Sequence, residues 1–435
     1  MKILVVSSVP WNRNNNFGKT FCDIFEGMDN VKFLNIYCDN GRPENDVDAQ
    51  YYQITLNDLI RNLMNKNNKV GKKVALDSSK LQSVSVLSNK QQYLLDKIKS
   101  HRFRIFFWAR RFVWWIGRWR TEELEKVIKE FDADLLFFPI FKESYMNVFQ
   151  QYVLKISGKK AVAYYGDDNY TLRMFSLNPF FWFDRLTQRK TVKKTIEQCE
   201  YMYVVSDIEK KECERDFKKK CFICTKGAKF NSIPPIKRKY RTKKKLVYTG
   251  NLGNHRWEEL YYIGKALDRI NEGHELVIYS GTPLTKKIKN KYAECQSIKY
   301  MGKVPVAEIP SIQDDADILV HVESFRLKER LLVHQSFSTK LVDHFSHARC
   351  TFGVGAKDVA FVDHLLKHDA AIVATSRNEI EPQLRKMLSD DKLIEEYSIK
   401  GFECGKDLHE IKSIQNMLKE HFAEYLGVVD ESFNN

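Results

Sequence analysis

One short segment combines residue types that suit binding of a phosphorylated ligand. Residues 335–343 read Gln-Ser-Phe-Ser-Thr-Lys-Leu-Val-Asp, at the predicted start of a helix that follows the apolar run Ile318–Val320. Unpaired backbone N–H groups and the positive end of the helix dipole favour anions at such a position. Lys340 adds a positive charge one turn into the helix, and Asp343 is spaced to accept hydrogen bonds from hydroxyl groups. This pattern predicts a site for phosphates beside a ribose.

The same segment resembles the donor-binding signature of the GT-B glycosyltransferases, in particular retaining family 4. That family carries two glutamates with seven residues between them, around a Gly-Phe-Gly turn. Phe337 and the spacing match, and Asp343 stands where the second glutamate binds ribose in the family. Gln335 stands where the first glutamate is expected, and serines replace both glycines. A Ser-Thr-Lys version of the turn resembles a branch of the family found in surface-polysaccharide synthesis.

The resemblance implies roles for individual residues. The donor pyrophosphate is expected over Ser338, Thr339 and Lys340, at the start of the helix. Gln335 and Lys340 are expected at the catalytic centre, together with an acidic residue of the first half of the chain.

Strand-like apolar runs alternate with helix-length segments along the chain, which predicts an α/β protein with parallel, doubly wound sheets. Prolines at Ile233–Ile236 precede residues 237–245, where seven of nine residues are Lys or Arg, a composition typical of a linker. We expect an acceptor-side domain over 1–234, a basic linker over 235–245, a nucleotide-sugar domain over 246–410 and a final helical segment over 411–435. Two Rossmann-like domains facing a cleft, with a last helix that crosses back, form the GT-B architecture that the resemblance implies.

Loops after the predicted strands of the second half carry further candidates, because ligands of such sheets bind at the carboxyl ends of strands. Arg256 closes a loop where related transferases place basic residues against the donor phosphates. Gly281 follows the run Glu275–Tyr279 and permits close backbone approach to a ligand. Val304 follows another run, at a turn whose backbone binds the base in the family. Each loop alone is also compatible with an ordinary turn, and Arg256 with a surface cation.

The first half offers candidates for the acceptor side and for the transferred sugar. Asp167 and Asp168 end a predicted strand where related enzymes often place a His or Asp, and Asp167 is the candidate base for the acceptor hydroxyl. The alternative is that this pair caps the next helix. Phe17 and Gly18 resemble the loop of the family that approaches the transferred sugar, Phe17 on the acceptor side and Gly18 on the donor side.

A metal site is not expected. The pairs Asp132/Asp134 and Asp315/Asp317 each precede an apolar run, so we interpret them as strand-entry residues. Nine cysteines are scattered, and Cys221–Cys224 is their only close pair, without a second pair or histidines at zinc spacing, so reduced thiols are expected. GT-B enzymes generally use helix dipoles and basic side chains, which implies no metal and no cofactor, with the nucleotide-sugar as a substrate.

The formal net charge of +15 over 435 residues implies acidic partners. Residues 101–120 lie in a predicted basic aromatic insert near 90–130 and contain six arginines, eight aromatic residues and no acid. Such residues suit the headgroup layer of a bilayer, so Arg102–Arg120 is a candidate contact with an anionic membrane. The alternative is a helix packed on the first sheet. Nucleic-acid binding is not expected, because no recognition module is present.

The start of the sequence, Met1–Val6, lacks the long apolar stretch of a signal peptide. No uncharged run reaches the roughly 20 residues that span a bilayer. We therefore expect a cytoplasmic protein, with the inner membrane face as its possible peripheral location.

Together these patterns predict a metal-independent glycosyltransferase of the hexosyltransferase type. It would move a sugar from a nucleotide diphosphate-sugar, with a UDP-sugar favoured, to a saccharide on a lipid or protein, with retention implied by the family resemblance. Two alternatives stay open: a GT-B nucleotide-sugar epimerase, and a non-catalytic donor- or glycan-binding partner of another transferase.

Overall fold

The computed structural model describes residues 1–13, 16–75, 104–236 and 239–427, and only the backbone of residues 16–17 and 104–107. The first part of the predicted basic aromatic insert, two residues of the predicted linker and the last eight residues therefore lie outside the described chain.

An eight-stranded sheet occupies the first part of the chain, in the order β4-β3-β2-β1-β5-β6-β7-β8. Its strands are β1 (Lys2–Ser7), β2 (Lys32–Tyr37), β3 (Ala49–Gln53), β4 (Lys72–Val74), β5 (Leu135–Pro139), β6 (Lys160–Tyr165), β7 (Met202–Val204) and β8 (Cys221–Ile223). β1 pairs in parallel with both β2 and β5, whereas β4 is antiparallel to β3. The central strand β5 is buried along its whole length, which explains its unbroken apolar sequence.

Helices connect these strands. They are α1 (Asn16–Phe25), α2 (Leu56–Met64), α3 (Arg104–Ile116), α4 (Glu122–Phe131), α5 (Ser144–Ser157), α6 (Pro179–Glu197) and α7 (Asp207–Phe217). Side-chain caps fix where several begin; Ser206, for example, accepts a hydrogen bond from the backbone N–H of Glu209 at the start of α7.

A six-stranded sheet follows, in the order β11-β10-β9-β12-β13-β14, and all its pairings are parallel. Its strands are β9 (Lys245–Thr249), β10 (Glu275–Tyr279), β11 (Ile298–Gly302), β12 (Ile318–Val322), β13 (Cys350–Val354) and β14 (Ile372–Ala374). The chain winds outward from β9 in one direction and restarts at β12 in the other. The point between β9 and β12 is therefore the topological switch point, where such sheets bind ligands.

The second part has its own set of helices. They are α8 (Arg256–Ile270), α9 (Lys286–Ala293), α10 (Ile309–Asp315), α11 (Leu327–Val333), α12 (Thr339–Ser346), α13 (Ala360–Lys367), α14 (Arg377–Leu388), α15 (Asp391–His409) and α16 (Ile411–Leu426). A short 3₁₀ turn, Val306–Glu308, precedes α10.

The chain forms two compact units that interleave in sequence. Unit 1 comprises Met1–Tyr165, Phe180–Met202 and Glu420–Asn435 as far as they are described, and unit 2 comprises Gly166–Pro179 and Tyr203–Lys419. Within unit 1, the ring of Phe422 near the end of α16 lies 6.4 Å from the ring of Phe137 on β5. The predicted division at residues 235–245 stays a prediction.

Both Asp-x-Asp pairs contain a residue that ties neighbouring strands together. Asp134 Oδ2 accepts a 2.7 Å hydrogen bond from the backbone N–H of Lys2 at the start of β1. Asp317 is fully buried and accepts a 2.8 Å bond from the backbone N–H of Lys245 at the start of β9. These contacts agree with the interpretation of the pairs as strand-entry residues.

Candidate functional site

A cavity of about 220 Å³ lies at the carboxyl ends of β9, β10 and β11 in unit 2. Its wall includes Gly281, Val304, Lys340 and Asp343, four of the residues that the sequence predicted to bind the donor. Thr249, the last residue of β9, also lines it, which places the cavity beside the switch point of the sheet. Three strand-end loops and one helix thus bring together residues far apart in sequence.

Lys340 supplies a free positive charge to this cavity. Its ammonium group forms no hydrogen bond or ion pair with the residues that the structure describes, and it lies directly over Gly250, where a Cβ would come within 2.7 Å of Nζ. Burial lowers the pKa of Lys340, and the nearby charge of Arg256 lowers it further, whereas Glu323 and Asp343 raise it. An anion that entered the cavity would find this ammonium group available.

Asp343, the predicted ribose ligand, is already paired with a lysine. Lys226 Nζ donates to Asp343 Oδ1, and only 10% of the Lys226 side chain is exposed. Lys226 belongs to the segment that follows β8, in unit 2. It carries no sequence motif, so pattern reasoning missed it.

The loops around the cavity are fixed by hydrogen bonds among themselves. The Tyr248 hydroxyl donates to the carbonyl of Asn251 at 2.7 Å, within the loop after β9. The N–H of Leu252 in that loop donates to Thr282 Oγ1, 3.0 Å away in the loop after β10. The Tyr300 hydroxyl, from β11, lies 2.9 Å from the carbonyl of Thr282. These bonds hold the cavity wall in one arrangement before a ligand binds.

Arg256 lies beside the cavity but not on its wall. Its Nε and Nη2 donate to the two carboxylate oxygens of Glu323 at 2.9 and 2.6 Å, and its Nη1 donates to Asn251 Oδ1 at 2.7 Å. Burial raises the pKa of Glu323, while the Arg256 charge acts to lower it. The predicted phosphate contact of Arg256 stays a prediction, because its donors are engaged by protein groups.

The loop that leads to Arg256 makes a sharp left-handed turn. Asn254 and His255 have φ angles of 52° and 57°, a region that non-glycine residues rarely adopt in succession. His255 Nδ1 lies 2.9 Å from Glu329 Oε1 on α11, which holds the turn in place. Such strained turns cluster at ligand-binding sites.

Gln335 lies in a buried polar network instead of on the cavity wall. It is 2% exposed, and its Nε2 donates to Glu212 on α7. Arg173 Nη1 donates to the same carboxylate at 2.9 Å, and His334 Nε2 lies 3.3 Å from it. Burial acts to raise the pKa of Glu212, but bonds from His334, Arg173 and Gln335 hold it well below its usual range. Gln335 Oε1 is buried without a partner among the described residues.

The predicted acidic pair also lies near α7. Asp168 Oδ1 accepts the backbone N–H groups of Tyr170 and Thr171 at 3.1 and 2.8 Å, so Asp168 closes a turn of the loop before α6. It does not cap a helix, because residues 166–178 form no helix. Burial raises the pKa of Glu209 on α7, and Asp167 and Asp168 raise it further. Asp167 is exposed.

The remaining predicted residues fall in two places. Ser338 is the N-cap of α12 but makes no side-chain capping bond, and Thr339 is the exposed first residue of that helix. Gly18 lies in unit 1 on α1, where a Cβ would come within 2.6 Å of the carbonyl oxygen of Pro10. The side chain of Phe17 lies outside the described part of the chain.

No group of three or more His, Cys, Asp or Glu residues in the described ranges is placed to hold a metal ion, and all nine cysteines are free. None of the described helices combines the length and apolar character needed to cross a bilayer.

The chain is similar to several solved structures. No family model and no curated protein matches the sequence. Anabaena HepE in complex with UDP matches with a TM-score of 0.61 and 10% identity, over 98% of this chain and 100% of that one. Sucrose-phosphate synthase from Thermosynechococcus elongatus matches with a TM-score of 0.62 at 10% identity, again over 98% and 100% of the two chains. A glycosyltransferase from Rickettsia africae matches with 0.59 at 9%, over 99% and 100%.

The chain has the GT-B fold. This confirms the fold class predicted from the sequence. Its structural neighbours are GT-B glycosyltransferases, but at about 10% identity the likeness establishes the fold alone. Membership of retaining family 4 stays a prediction.

Proposed function

We propose that this GT-B protein is a glycosyltransferase that uses a nucleotide diphosphate-sugar, with a UDP-sugar favoured. The observation that carries the proposal is the cavity beside the β9/β12 switch point, which joins the free ammonium group of Lys340 to the carboxylate of Asp343. HepE, a structural neighbour, has been crystallised with UDP and with UDP-glucose, which supports the choice of donor.

In this proposal each wall of the cavity contacts a different part of the nucleotide. Lys340 and the uncapped start of α12 would neutralise the diphosphate, and with it the charge that develops on the leaving group. Asp343 would accept the ribose hydroxyls once its ion pair with Lys226 opens. The backbone at Val304 would meet the base. Neither a metal nor a cofactor is required in this scheme.

The acceptor is proposed to be a saccharide on a lipid or a protein, to which the sugar is transferred with retention. Asp167 is exposed and bears a carboxylate suited to orient or deprotonate an acceptor hydroxyl. From the sequence resemblance, Phe17 and Asp168 are proposed to contact the acceptor, and Gly18 to approach the transferred sugar on the donor side. Retention rests on the sequence resemblance to family 4.

Titration calorimetry of the full chain with UDP, GDP, dTDP and CDP, without added metal, tests the donor site. We expect one nucleotide to bind selectively and Asp343→Asn to weaken it about tenfold, since a hydrogen bond to a charged group contributes about 1.5–3 kcal/mol. Lys340→Ala should weaken it at least as much.

Asp369→Asn is the matched control, because Asp369 also pairs with a lysine, Lys400, at 2.6 Å but lies off the cavity wall. The Asp369→Asn variant should bind the nucleotide with the same affinity as the wild-type protein. Absence of binding to all four nucleotides, or equal weakening by the control, would remove the donor-site proposal.

A second candidate is a non-catalytic nucleotide-sugar or glycan binder, and the position of Gln335 favours it. The side chain that stands in place of a family glutamate is an amide engaged with Glu212, and Arg173 neutralises that carboxylate. Tight nucleotide binding without hydrolysis or transfer, with a panel of saccharide acceptors, would select this candidate.

Contact with an anionic membrane is part of the proposal, at a surface that we call the α3–α6 patch. It consists of exposed aromatic residues on two helices of unit 1: Trp108, Phe112, Trp115, Phe180 and Phe183. Trp108 stacks on Phe183 with ring centroids 5.7 Å apart, so the patch is continuous. Arg111 on α3 pairs with Asp184 on α6 at 3.6 Å, and Arg118, which follows the end of α3, is exposed. A cytoplasmic protein bound peripherally to the inner membrane face would use the patch in this way.

A further inference from the structure

Unit 2 contains a second, larger cavity, of about 600 Å³, that shares no lining residue with the candidate donor cavity. It opens where the loops after β12, β13 and β14 meet. Four cationic side chains line it, together with the aromatic ring of Phe325: Arg326, Arg330, Lys357 and Arg377. Nucleotide binding at the β9/β12 switch point does not account for these four cations in a separate cavity.

Two of the four cations are fixed from behind by buried carboxylates. Arg377 Nε and Nη2 donate to the oxygens of Glu259 at 2.9 and 2.8 Å, and Glu259 is 0% exposed. Arg326 Nε donates to Glu258, also buried, at 2.8 Å. Each guanidinium group is thus held in one orientation, and its Nη1 forms no hydrogen bond with the described residues. Hydrogen-bond donors that other residues hold in one orientation are typical of anion-binding sites.

The other two cations have unused donors. Arg330 Nη2 donates to Asp358 at 2.8 Å, but its Nε is buried without a partner among the described residues. Lys357 is exposed and forms no ion pair within the described part of the chain. Together with the N–H donors left on Arg326 and Arg377, these groups surround one space.

The start of a helix lies at the cavity, and its first turn carries the carboxylate of Glu379, which accepts a hydrogen bond from the backbone N–H of Thr375. α14, twelve residues long, begins at Arg377, and its N-cap Ser376 makes no side-chain capping bond. Among the residues that line the cavity, four are cations and one, Asp358, is a carboxylate. Four further carboxylates act on these cations from outside the lining: Glu258, Glu259, Glu329 and Glu379.

We propose that this cavity binds the phosphate ester of a phosphorylated saccharide. Planar guanidinium groups match the oxygens of a phosphate, and the ring of Phe325 offers an apolar surface to a sugar. The volume lies within the roughly 300–1,000 Å³ of small-molecule sites, enough for a hexose phosphate. The phosphate belongs either to a soluble sugar phosphate or to a lipid-linked saccharide. The inference stands independently of the proposed donor site.

Calorimetry of the full chain with glucose 6-phosphate tests the proposal, with glucose and inorganic phosphate as comparison probes. We expect glucose 6-phosphate to bind in the presence of saturating UDP as well as in its absence, because the two cavities are separate. Lys357→Gln, at an exposed position that leaves the buried carboxylates paired, should weaken binding several-fold, and Lys357→Gln with Arg330→Gln about tenfold or more.

Lys328→Gln is the matched control, because Lys328 is an exposed lysine on α11 that does not line the cavity. Flotation with vesicles that contain phosphatidic acid tests whether the cavity binds a phosphate carried by a lipid. Binding of glucose 6-phosphate or of the vesicles that is weakened by Lys357→Gln and not by Lys328→Gln supports the site. The probe that binds then shows whether the phosphate belongs to a soluble sugar or to a lipid. Binding of neither probe, or equal weakening by both variants, overturns the proposal.

Discussion

At the residue scale, the availability of Lys340 depends on the absence of a side chain at position 250. A Cβ on Gly250 would come within 2.7 Å of Lys340 Nζ and 2.8 Å of the Tyr248 hydroxyl. The tyrosine cannot yield, because it is buried and bonded to the carbonyl of Asn251. The ammonium group of Lys340 would therefore have to move away from its present position.

Gly250→Ala should accordingly weaken nucleotide binding about tenfold, the effect of losing one charge-assisted contact. Gly253→Ala in the same loop is the control, since its Cβ would meet only Asn251 Oδ1, at 3.3 Å. Calorimetry would compare the two, with thermal unfolding to show that both variants fold. Equal affinities for Gly250→Ala and the wild-type protein would separate Lys340 from nucleotide binding.

The sequence predicted several residues that the structure places on the cavity wall, and each of them follows a strand or lies near the start of a helix. Gly281, Val304 and Asp343 were predictable because neighbouring residues in the sequence indicate where a strand ends or a helix begins. Lys226 and Glu212 were not, because each meets its partner across more than 100 residues of sequence, and a lone surface-type residue gives no local signal.

At the element scale, α3 packs in unit 1 through one face and exposes aromatic residues on the other, while its contact with a membrane stays a prediction. Trp114 is buried and stacks on Tyr145 at 4.7 Å, so one face packs in unit 1. On the other face, Phe112 is 55% and Trp115 76% exposed. The exposed phenylalanines of α6 were not anticipated, because the aromatic run of that helix is short and ends at Asp184.

Replacing Phe112 and Trp115 with serine should reduce binding to anionic vesicles several-fold, since each aromatic ring would bury a large apolar area in the bilayer. Thermal stability should change little, because both rings face outward. Met64→Ser, which removes an exposed apolar residue from α2, is the control. Cosedimentation with vesicles would measure the effect, and unchanged binding of the double variant would exclude the α3–α6 patch as a membrane contact.

Some strands could be predicted from their own sequence, and others could not. The run Glu275–Tyr279 was predicted with the bounds that β10 has in the structure. β3 reads Ala-Gln-Tyr-Tyr-Gln and β4 is a three-residue antiparallel edge strand, so neither presents an apolar run. Their pairing depends on neighbours in the sheet rather than on their own composition.

At the scale of the whole molecule, buried histidines couple folding to pH. Burial lowers the pKa of His344 to about 3 and that of His409 to about 4, with smaller contributions from Lys340 and His368 respectively. Each is therefore neutral in the native state at a pH where the unfolded chain, with an ordinary histidine pKa of about 6.5, binds a proton. Because the unfolded state binds more protons, the free energy of unfolding falls as pH drops below about 6.5.

We expect each of these histidines to destabilise the protein by about 1 kcal/mol per pH unit between roughly pH 6 and 5. Urea unfolding at pH 7.5 and 5.5 would measure the loss. Burial raises the pKa values of Glu209 and Glu323, which act in the opposite sense, so wild-type protein must be compared with His344→Leu. The variant should lose less stability on acidification, and an identical loss would contradict the assignment.

The interleaving of the two units limits how the protein can be divided. The chain passes between the units at residues 165/166, 179/180, 202/203 and 419/420. A fragment that ends at residue 234 would carry 166–179 and 203–234 away from the rest of unit 2, and would separate Lys226 from Asp343 and Glu212 from Gln335. It would also leave unit 1 without the end of α16. A split protein made at the basic linker would therefore have to reassemble both units from two polypeptides, so that recovery of nucleotide binding on mixing the halves would report complementation rather than the action of an isolated domain.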